Sequence, residues 1–557
     1  MNASLLSSAA RVYTPLNALH AHAEQIQATS LADLLGGDDE ASQKRSQSLR
    51  FSLEAIHIDF SKQRVSERTL SLLTDWARSC RLEEKRRALF AGAHVNASEN
   101  RPALHMAARW PEQVNPPEGM EEAAAFCQAQ REKLADMVQR LHEGQWFGAT
   151  GQSITDVVHI GVGGSDLGPK LISETLGARP SQQRVGVHYV SSMDGAQLLP
   201  LMERLDPATT LLVLASKSFT TADTRFNVRT ALAWLSEALE IDVATLCGYQ
   251  LVGVSTRADK MREFGIPEAH QLEFKEWVGG RFSLWSPIGV SVAMQLGMET
   301  FDRLLEGAHS ADRHFLETPL EENLPVLMAL IGAWNSQFLS IPTHAVLPYD
   351  ARMESLPAYL QQLEMESNGK SVGLDQKLVP HATCPILWGD VGPNAQHAFY
   401  QLLHQGSHTV SADFIAVATR EYGSQGPLGE SLRAQEHLTL ANCLAQSQLF
   451  ALGDDAIPAV ARGQMAQGYR GNQPNSVILL RTLDAFNVGA LLALYEHKVF
   501  VQSVLWNVNP FDQPGVELGK TLANSLYQTL EGEPVDAPTV YDPGTDALVE
   551  KIRAWRQ

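Results

Sequence analysis

Apolar residues follow two different spacings along the chain, one before and one after about residue 150. In the segment TLSLLTDWARSCRLEEKRRALFAG, residues 69–92, they recur every three or four positions. That spacing is typical of a helix with one buried face. No strand pattern is evident in this region, so we predict a helical N-terminal segment over residues 1–120 that packs on a second α/β domain, residues 291–515.

Beyond residue 150 the pattern changes to short apolar runs that alternate with helical segments. Four runs lie between residues 156 and 255, DVVHIGVG, VGVHYVSS, TLLVLAS and YQLVGVS, and four more are THAVLPYD, CPILWGD, DFIAVAT and SVILLRT, residues 343–482. This alternation is typical of βαβ units and parallel sheets. The chain is therefore predicted to be α/β, with two three-layer α/β/α domains, residues 121–290 and 291–515, and a C-terminal helical arm, residues 516–557.

Charge and cysteine content narrow the class of protein. The chain has 44 Lys and Arg against 63 Asp and Glu, a net charge of −19, which argues against nucleic acid or an anionic membrane as its main partner. Its five cysteines are scattered and form no CxxC motif, so neither a disulfide framework nor a zinc site is predicted, and a cytoplasmic location fits best. The most apolar late stretch, residues 488–506, is interrupted by Glu496, His497 and Lys498, and we predict no signal peptide or membrane span.

The glycine-rich stretch HIGVGGSDLGP, residues 159–169, follows the first apolar run. A dinucleotide-binding loop would need a glycine where Asp166 stands, and a nucleoside triphosphate loop would need lysine where Pro169 stands. The remaining possibilities are an anion site formed by Gly164, Ser165 and the start of the next helix, or a tight strand-to-helix turn without a ligand.

A second candidate anion loop is ASKSFTT, residues 215–221. Its Ser216, Lys217, Ser218 and Thr221 supply hydroxyls and an ammonium at another junction of strand and helix, which suits a phosphate monoester. For Thr221 a simple helix cap is nearly as good an explanation. Because ligands of open α/β sheets collect at the carboxyl ends of the strands, the two loops together predict one shared site.

Several downstream residues could carry chemistry. Arg281 could stabilise an oxyanion or form a structural salt bridge. Glu366, one helical turn after Gln362, could be a positioned base or a solvated glutamate. His397 could be functional or a buried histidine, and Lys520 could bind a sugar or phosphate oxygen or simply lie on the surface.

In their order, six stretches resemble the signature segments of the glucose-6-phosphate isomerase (phosphoglucose isomerase) family: VGGSDLGP, ASKSFTT, EWVGGRFSLWS, QQLEMESNGK, QHAFYQLLHQG and FDQPGVELGK. With ENRPALHMAAR, residues 99–109, the resemblance extends from roughly residue 50 to residue 525. It implies two sugar isomerase (SIS) type domains, a homodimer, and no metal or cofactor. It also implies a glycolytic and gluconeogenic enzyme that interconverts glucose 6-phosphate and fructose 6-phosphate through ring opening and a cis-enediolate.

The resemblance also implies a role for each candidate residue. The phosphate would be held by the two loops, the proton would move between C1 and C2 through Glu366, and Arg281 would stabilise the enediolate. His397, contributed by the neighbouring subunit, and Lys520 would assist ring opening. The residues implied to bind the substrate are Gly164, Ser165, Ser216, Lys217, Ser218, Thr221, Gln362 and Gln513.

Two departures and two rivals accompany this interpretation. The family commonly has Thr at the position of Ser218, and Gly-Asp at the position of Leu363 and Glu364. A non-catalytic sugar-phosphate sensor would share the hydroxyl loops but would not need Glu366, Arg281 and His397 together. A dehydrogenase is disfavoured by Asp166.

Overall fold

The computed structural model describes residues 3–36, 40–179, 181, 183–219, 222–420, 425–457, 468–532 and 541–556. The chain forms two compact units, Met1–Pro510 and Phe511–Gln557. The described residues of the first unit contain eleven strands: β1 Arg50–Leu53, β2 Ile56–Asp59, β3 Asp156–Ile160, β4 Gly186–Val190, β5 Thr210–Ala215, β6 Leu251–Ser255, β7 Gln271–Glu273, β8 Thr343–Pro348, β9 Ile386–Gly389, β10 Ser411–Val417 and β11 Asn475–Leu480.

Helices surround and connect these strands. In the N-terminal region they are Ala3–Gln27, Leu31–Leu35, Glu40–Ser48, Glu67–Ser79, Leu82–Phe90 and Glu121–His142. Around the first sheet they are Leu167–Leu176, Leu199–Arg204, Ala222–Leu239, Val243–Gln250 and Ala258–Glu263. Those that follow are Val290–Leu296, Met298–Glu317, Leu324–Ala333, Leu356–Leu360, Gly392–Ala398, Tyr400–Gln405, Gly426–Leu452 and Ala485–Trp506, and the second unit contains Glu517–Glu531 and Pro543–Arg556.

The first sheet has the strand order β4-β3-β5-β6-β7, and every neighbouring pair is parallel. All residues of β5 and β6 are buried, as expected for central strands covered by helices on both faces. The four apolar runs predicted here are strands in the structure. Strand β7 was missed because three residues are too short to show a periodicity.

The second sheet has the order β1-β2-β11-β10-β8-β9. Strands β8 to β11 pair in parallel, whereas β2 pairs antiparallel with β11 and places Ile58 opposite Ile478. The expectation of an N-terminal segment without strands is therefore wrong for residues 50–59. Only Ile56 and Ile58 alternate inward in β2, and this gives too short a pattern to recognise in the sequence.

The helix Ala485–Trp506 lies in the core and packs on the helices Met298–Glu317 and Leu324–Ala333. It is long and apolar enough to cross a membrane, yet its apolar stretch is entirely buried inside the protein. Glu496, His497 and Lys498, the charged or ionisable residues that interrupt its apolar run, are all buried. Glu496 pairs with Arg109, Lys498 pairs with Glu364, and His497 is hydrogen-bonded to Asp312. These properties identify it as a core helix.

Candidate active site

Two loops of predicted phosphate-binding residues leave the same edge of the first sheet. Gly164 and Ser165 lie in a short 3₁₀ turn after β3, and Ser216, Lys217 and Ser218 directly follow β5. Because β3 and β5 are neighbouring parallel strands, their carboxyl ends open to one crevice. Thr221 lies outside the described residues.

The segment 276–283 contacts both loops. A Cβ atom at Gly164 would lie 2.1 Å from the carbonyl oxygen of Gly280, so only glycine allows this close approach of two backbones. On the other loop, the Lys217 ammonium donates to the carbonyl oxygens of Glu276 and Val278, at 3.0 Å each. The segment that carries Arg281 therefore joins the two loops.

The serine hydroxyls of the two loops differ in exposure. Ser165 and Ser216 are buried, whereas Ser218 is exposed. The Ser216 Oγ accepts from the backbone N–H of Phe219 at 3.2 Å, and Phe219 has a left-handed φ of +57° that turns the chain sharply after β5. The side chains of Ser165 and Ser216 are therefore packed inside their loops, whereas that of Ser218 faces solvent.

Burial weakens the negative charge expected beside the glycine turn. Burial raises the pKa of Asp166 to about 6. Near neutral pH, a fraction of the molecules therefore has Asp166 protonated and uncharged. Burial lowers the pKa of His159 to about 4, so its neutral imidazole donates from Nε2 to the carbonyl oxygen of Ser165 at 2.7 Å. A partly protonated Asp166 repels a nearby phosphate less than an ionised carboxylate would.

The segment with Gln362 and Glu366 is not a regular α-helix. An α-helix over Leu356–Leu360 continues as a π-helix over Gln361–Glu366, a wider turn that is frequent at functional sites. Gln362 lies against the glycine turn, since a Cβ at Gly163 would be 2.9 Å from its Nε2 atom. This segment therefore meets the first phosphate loop, although no residue spacing in the sequence predicts a π-turn.

Glu366 lies beside Arg281. The distance from Arg281 Nη1 to Glu366 Oε1 is 3.2 Å, and the side chains are 2% and 24% exposed, respectively. Arg281 Nε also donates to Ser367 Oγ at 2.6 Å, and its Nη2 donates to the carbonyl oxygen of Pro510. Neutral acceptors thus orient a buried guanidinium next to a carboxylate that solvent can reach.

Three predicted site residues remain, His397, Gln513 and Lys520. His397 is exposed on the helix Gly392–Ala398, and in the described part of the chain no hydrogen bond or ion pair joins it to the residues above. Gln513 and Lys520 belong to the second unit. Lys520 is 62% exposed and pairs with Glu517 at 2.9 Å. Their predicted roles remain predictions.

A buried cluster of charged residues around Arg109 was missed by sequence reasoning. Arg109 donates to both carboxylate oxygens of Asp312, at 2.8 and 2.6 Å, and to Glu496 at 2.6 Å. Trp285 Nε1 donates to the other oxygen of Glu496 at 2.7 Å, and His497 pairs with Asp312 at 2.7 Å. The partners lie as many as 387 positions apart, so no local pattern could reveal them.

The sequence as a whole matches a known family. The model of the family described as phosphoglucose isomerase matches residues 59–549. The chain belongs to the phosphoglucose isomerase family.

Similar proteins agree with this assignment. Glucose-6-phosphate isomerase 2 of Chromohalobacter salexigens is 50% identical over 485 residues, which cover 85% of this chain and 87% of that protein. Glucose-6-phosphate isomerase of Hydrogenovibrio crunogenus is 47% identical over 511 residues, 90% of this chain and 93% of that one. The crystal structure of a glucose-6-phosphate isomerase from Chlamydia trachomatis superposes with a TM-score of 0.82 at 30% identity, covering 97% of this chain and 99% of that one. The predicted α/β class and the resemblance to phosphoglucose isomerases are confirmed.

Proposed function

We propose that the chain catalyses the reaction of the phosphoglucose isomerase family, the interconversion of glucose 6-phosphate and fructose 6-phosphate, with Glu366 as the base. Family membership and the curated relatives support the reaction. The observation that supports the mechanism is the 3.2 Å pair of Glu366 and Arg281 next to the glycine turn.

The two members of this pair suit the two demands of the reaction. Isomerisation removes a weakly acidic C–H proton from one carbon and returns a proton to its neighbour, which requires a carboxylate held close to both. The charge that develops on the substrate oxygens requires a cation that is already in place. In the proposed cis-enediolate state, the substrate oxygens replace Glu366 at Arg281 Nη1 while Glu366 carries the proton between C1 and C2.

The phosphate would bind between the loops that follow β3 and β5. Gly164 and Ser165 would form one wall, and Ser216, Ser218 and Thr221 the other. Lys217 would act mainly by holding its loop, because its ammonium already donates to two carbonyl oxygens and pairs with Glu276 at 3.3 Å. Since the phosphate is unchanged by the reaction, binding it holds the substrate while the other end reacts.

The remaining predicted residues would serve ring opening and assembly. We propose that His397 and Lys520 assist opening of the sugar ring, and that Gln362 and Gln513 hold the open chain. The exposed position of His397 suits a residue that serves the site of a second copy, so we propose a homodimer. We also propose a cytoplasmic location, which the scattered cysteines without a CxxC motif favour.

The reaction is tested by mixing purified protein with fructose 6-phosphate and following glucose 6-phosphate through a coupled dehydrogenase. In D₂O, we expect partial incorporation of deuterium at C2 of the product, because a base that exchanges with solvent moves the proton. Absence of turnover with intact phosphate binding would instead indicate a sugar-phosphate sensor. Turnover with hydride transfer and no deuterium uptake would exclude Glu366 as a proton carrier.

A further inference from the structure

The face of the π-helical turn opposite Glu366 carries a buried ion pair. Lys498 Nζ donates to Glu364 Oε2 at 2.7 Å, and the two side chains are 5% and 1% exposed. Residues two positions apart on a helix point to roughly opposite sides, so Glu364 faces the core while Glu366 faces the crevice. At 1% exposure, Glu364 is separated from any substrate in the crevice.

A second bond ties the same segment to the same helix. Asn368 Nδ2 donates to the carbonyl oxygen of Val499 at 3.0 Å. Glu366 therefore lies between two residues that are bound to consecutive positions, 498 and 499, of the buried helix Ala485–Trp506. These two bonds fix both the height and the rotation of the turn that carries Glu366.

Lys498 is itself held in place. Burial favours its neutral form, but Glu364 and Asp413 outweigh burial and raise the pKa of its ammonium above the usual range. Asp413, on β10, accepts from the Tyr495 hydroxyl at 2.9 Å and pairs with His344 Nε2 at 3.1 Å. Lys498, which binds the π-helical turn, thus interacts with the second sheet through the charge of Asp413.

We propose that Glu364 and Lys498 are positioning residues for the isomerisation, because their ion pair sets the rotation of the π-helical turn that aims Glu366 at Arg281. This inference rests on the proposed role of Glu366 as the base. A π-turn is an irregular element, and a directional bond on its buried face selects one rotation among several. Both residues act through Glu366.

The first test is Glu364→Gln, which keeps the shape of the side chain and removes its charge. We expect kcat to fall about 10- to 100-fold, since a small displacement of a base has effects of that size. KM for fructose 6-phosphate should stay within about twofold, because the phosphate loops are untouched. The deuterium isotope effect with glucose 6-phosphate labelled at C2 should increase, since proton transfer becomes slower relative to the other steps.

Two further variants separate positioning from stability. Leu235→Ala removes a fully buried side chain from the core of the first sheet, and it should lower the unfolding temperature while leaving kcat and the isotope effect unchanged. The double variant Glu364→Met with Lys498→Met replaces the pair with apolar side chains that can keep the fold stable. We expect its kcat to remain low, and recovery of full kcat with stability would overturn the proposal.

Failure of this inference is distinguishable from failure of the proposed function. If the wild-type protein does not isomerise fructose 6-phosphate, or if Glu366→Gln is as active as wild type, the proposed function fails. If wild type is active, Glu366→Gln is not, and Glu364→Gln retains the wild-type kcat and isotope effect, only the positioning role is overturned.

Discussion

Two arginine–carboxylate clusters of the first unit differ in what surrounds them. Arg109 is bound to Asp312 and Glu496, and all three side chains are completely buried. Arg281 is nearly as buried, but its carboxylate partner Glu366 is 24% exposed. The first cluster is closed on every side, whereas the second opens to the crevice at one carboxylate.

The difference shows what separates a structural arginine from a candidate catalytic one. The guanidinium of Arg109 is neutralised by buried carboxylates of the protein itself, so its charge does not act on a ligand. Arg281 is oriented by two neutral acceptors, Ser367 and the carbonyl of Pro510. Its positive charge can therefore stabilise a negatively charged group that approaches Glu366. Of the two alternatives considered for Arg281 from sequence, the structure contains the salt bridge, with Glu366, and the role as an oxyanion partner stays a prediction.

The largest expected effect is on the open pair. Glu366→Gln keeps the size of the side chain but removes its basicity, so kcat should fall by about 10²- to 10⁴-fold in the coupled assay with little change in unfolding temperature. Glu354→Gln, an exposed glutamate before the same helix, is the matched control and should keep the wild-type kcat. Equal activities of the two variants would contradict the assignment of the base.

The closed cluster should respond in stability. Arg109→Met leaves two carboxylates buried without their cation, so we expect the free energy of unfolding to fall by about 3–5 kcal/mol in denaturant titrations. The kcat per folded molecule should stay near that of wild type. Arg78→Met, which breaks an exposed pair with Glu321, should cost less than about 1 kcal/mol. A loss of kcat in Arg109→Met without a loss of stability would make the two clusters alike.

Arg281→Lys tests the geometry of the open pair. Lysine keeps the charge but cannot bind Ser367, Pro510 and Glu366 in the directions that the planar guanidinium allows. We expect kcat to fall about 10²- to 10³-fold, and the free energy of unfolding to change less than in Arg109→Met. Arg257→Lys at an exposed pair is the control. Wild-type kcat in Arg281→Lys would show that charge alone suffices.

Sequence reasoning predicted the parts of the molecule whose causes are local. The eight short apolar runs are strands in the structure, and the glycine and serine loops follow β3 and β5, because strand length and turn residues are set by neighbouring positions. It could not predict the hairpin of residues 50–59 on β11, the π-turn before Glu366, or the burial of Glu364 against Lys498. Those features depend on partners far away in the chain.

The smallest expected effect sharpens the contrast within the closed cluster. Burial raises the pKa of Glu496 to about 7, whereas Asp312, although equally buried, is held at a pKa of about 2 by Arg109 and His497. Asp312 is therefore the carboxylate that neutralises Arg109, and Glu496 is the one that takes up a proton first. Because the pKa of Glu496 is raised on folding, the stability it contributes is complete below about pH 4.5 and is lost as the pH rises through about 7.

Between pH 5.5 and 8.5, the unfolding temperature of wild type should therefore fall by roughly 1–3 °C more than that of Glu496→Gln, in which this proton is absent. Asp312 contributes nothing to this slope, because its stabilisation is complete above its ordinary pKa of 3.8 and is lost only as the pH falls toward 2. Glu306→Gln, at an exposed position of the helix Met298–Glu317 that carries Asp312, should keep the wild-type slope. If the unfolding temperatures of wild type and Glu496→Gln change with pH in parallel, Arg109 keeps both Asp312 and Glu496 ionised. The closed cluster would then contain two negative charges and one positive charge.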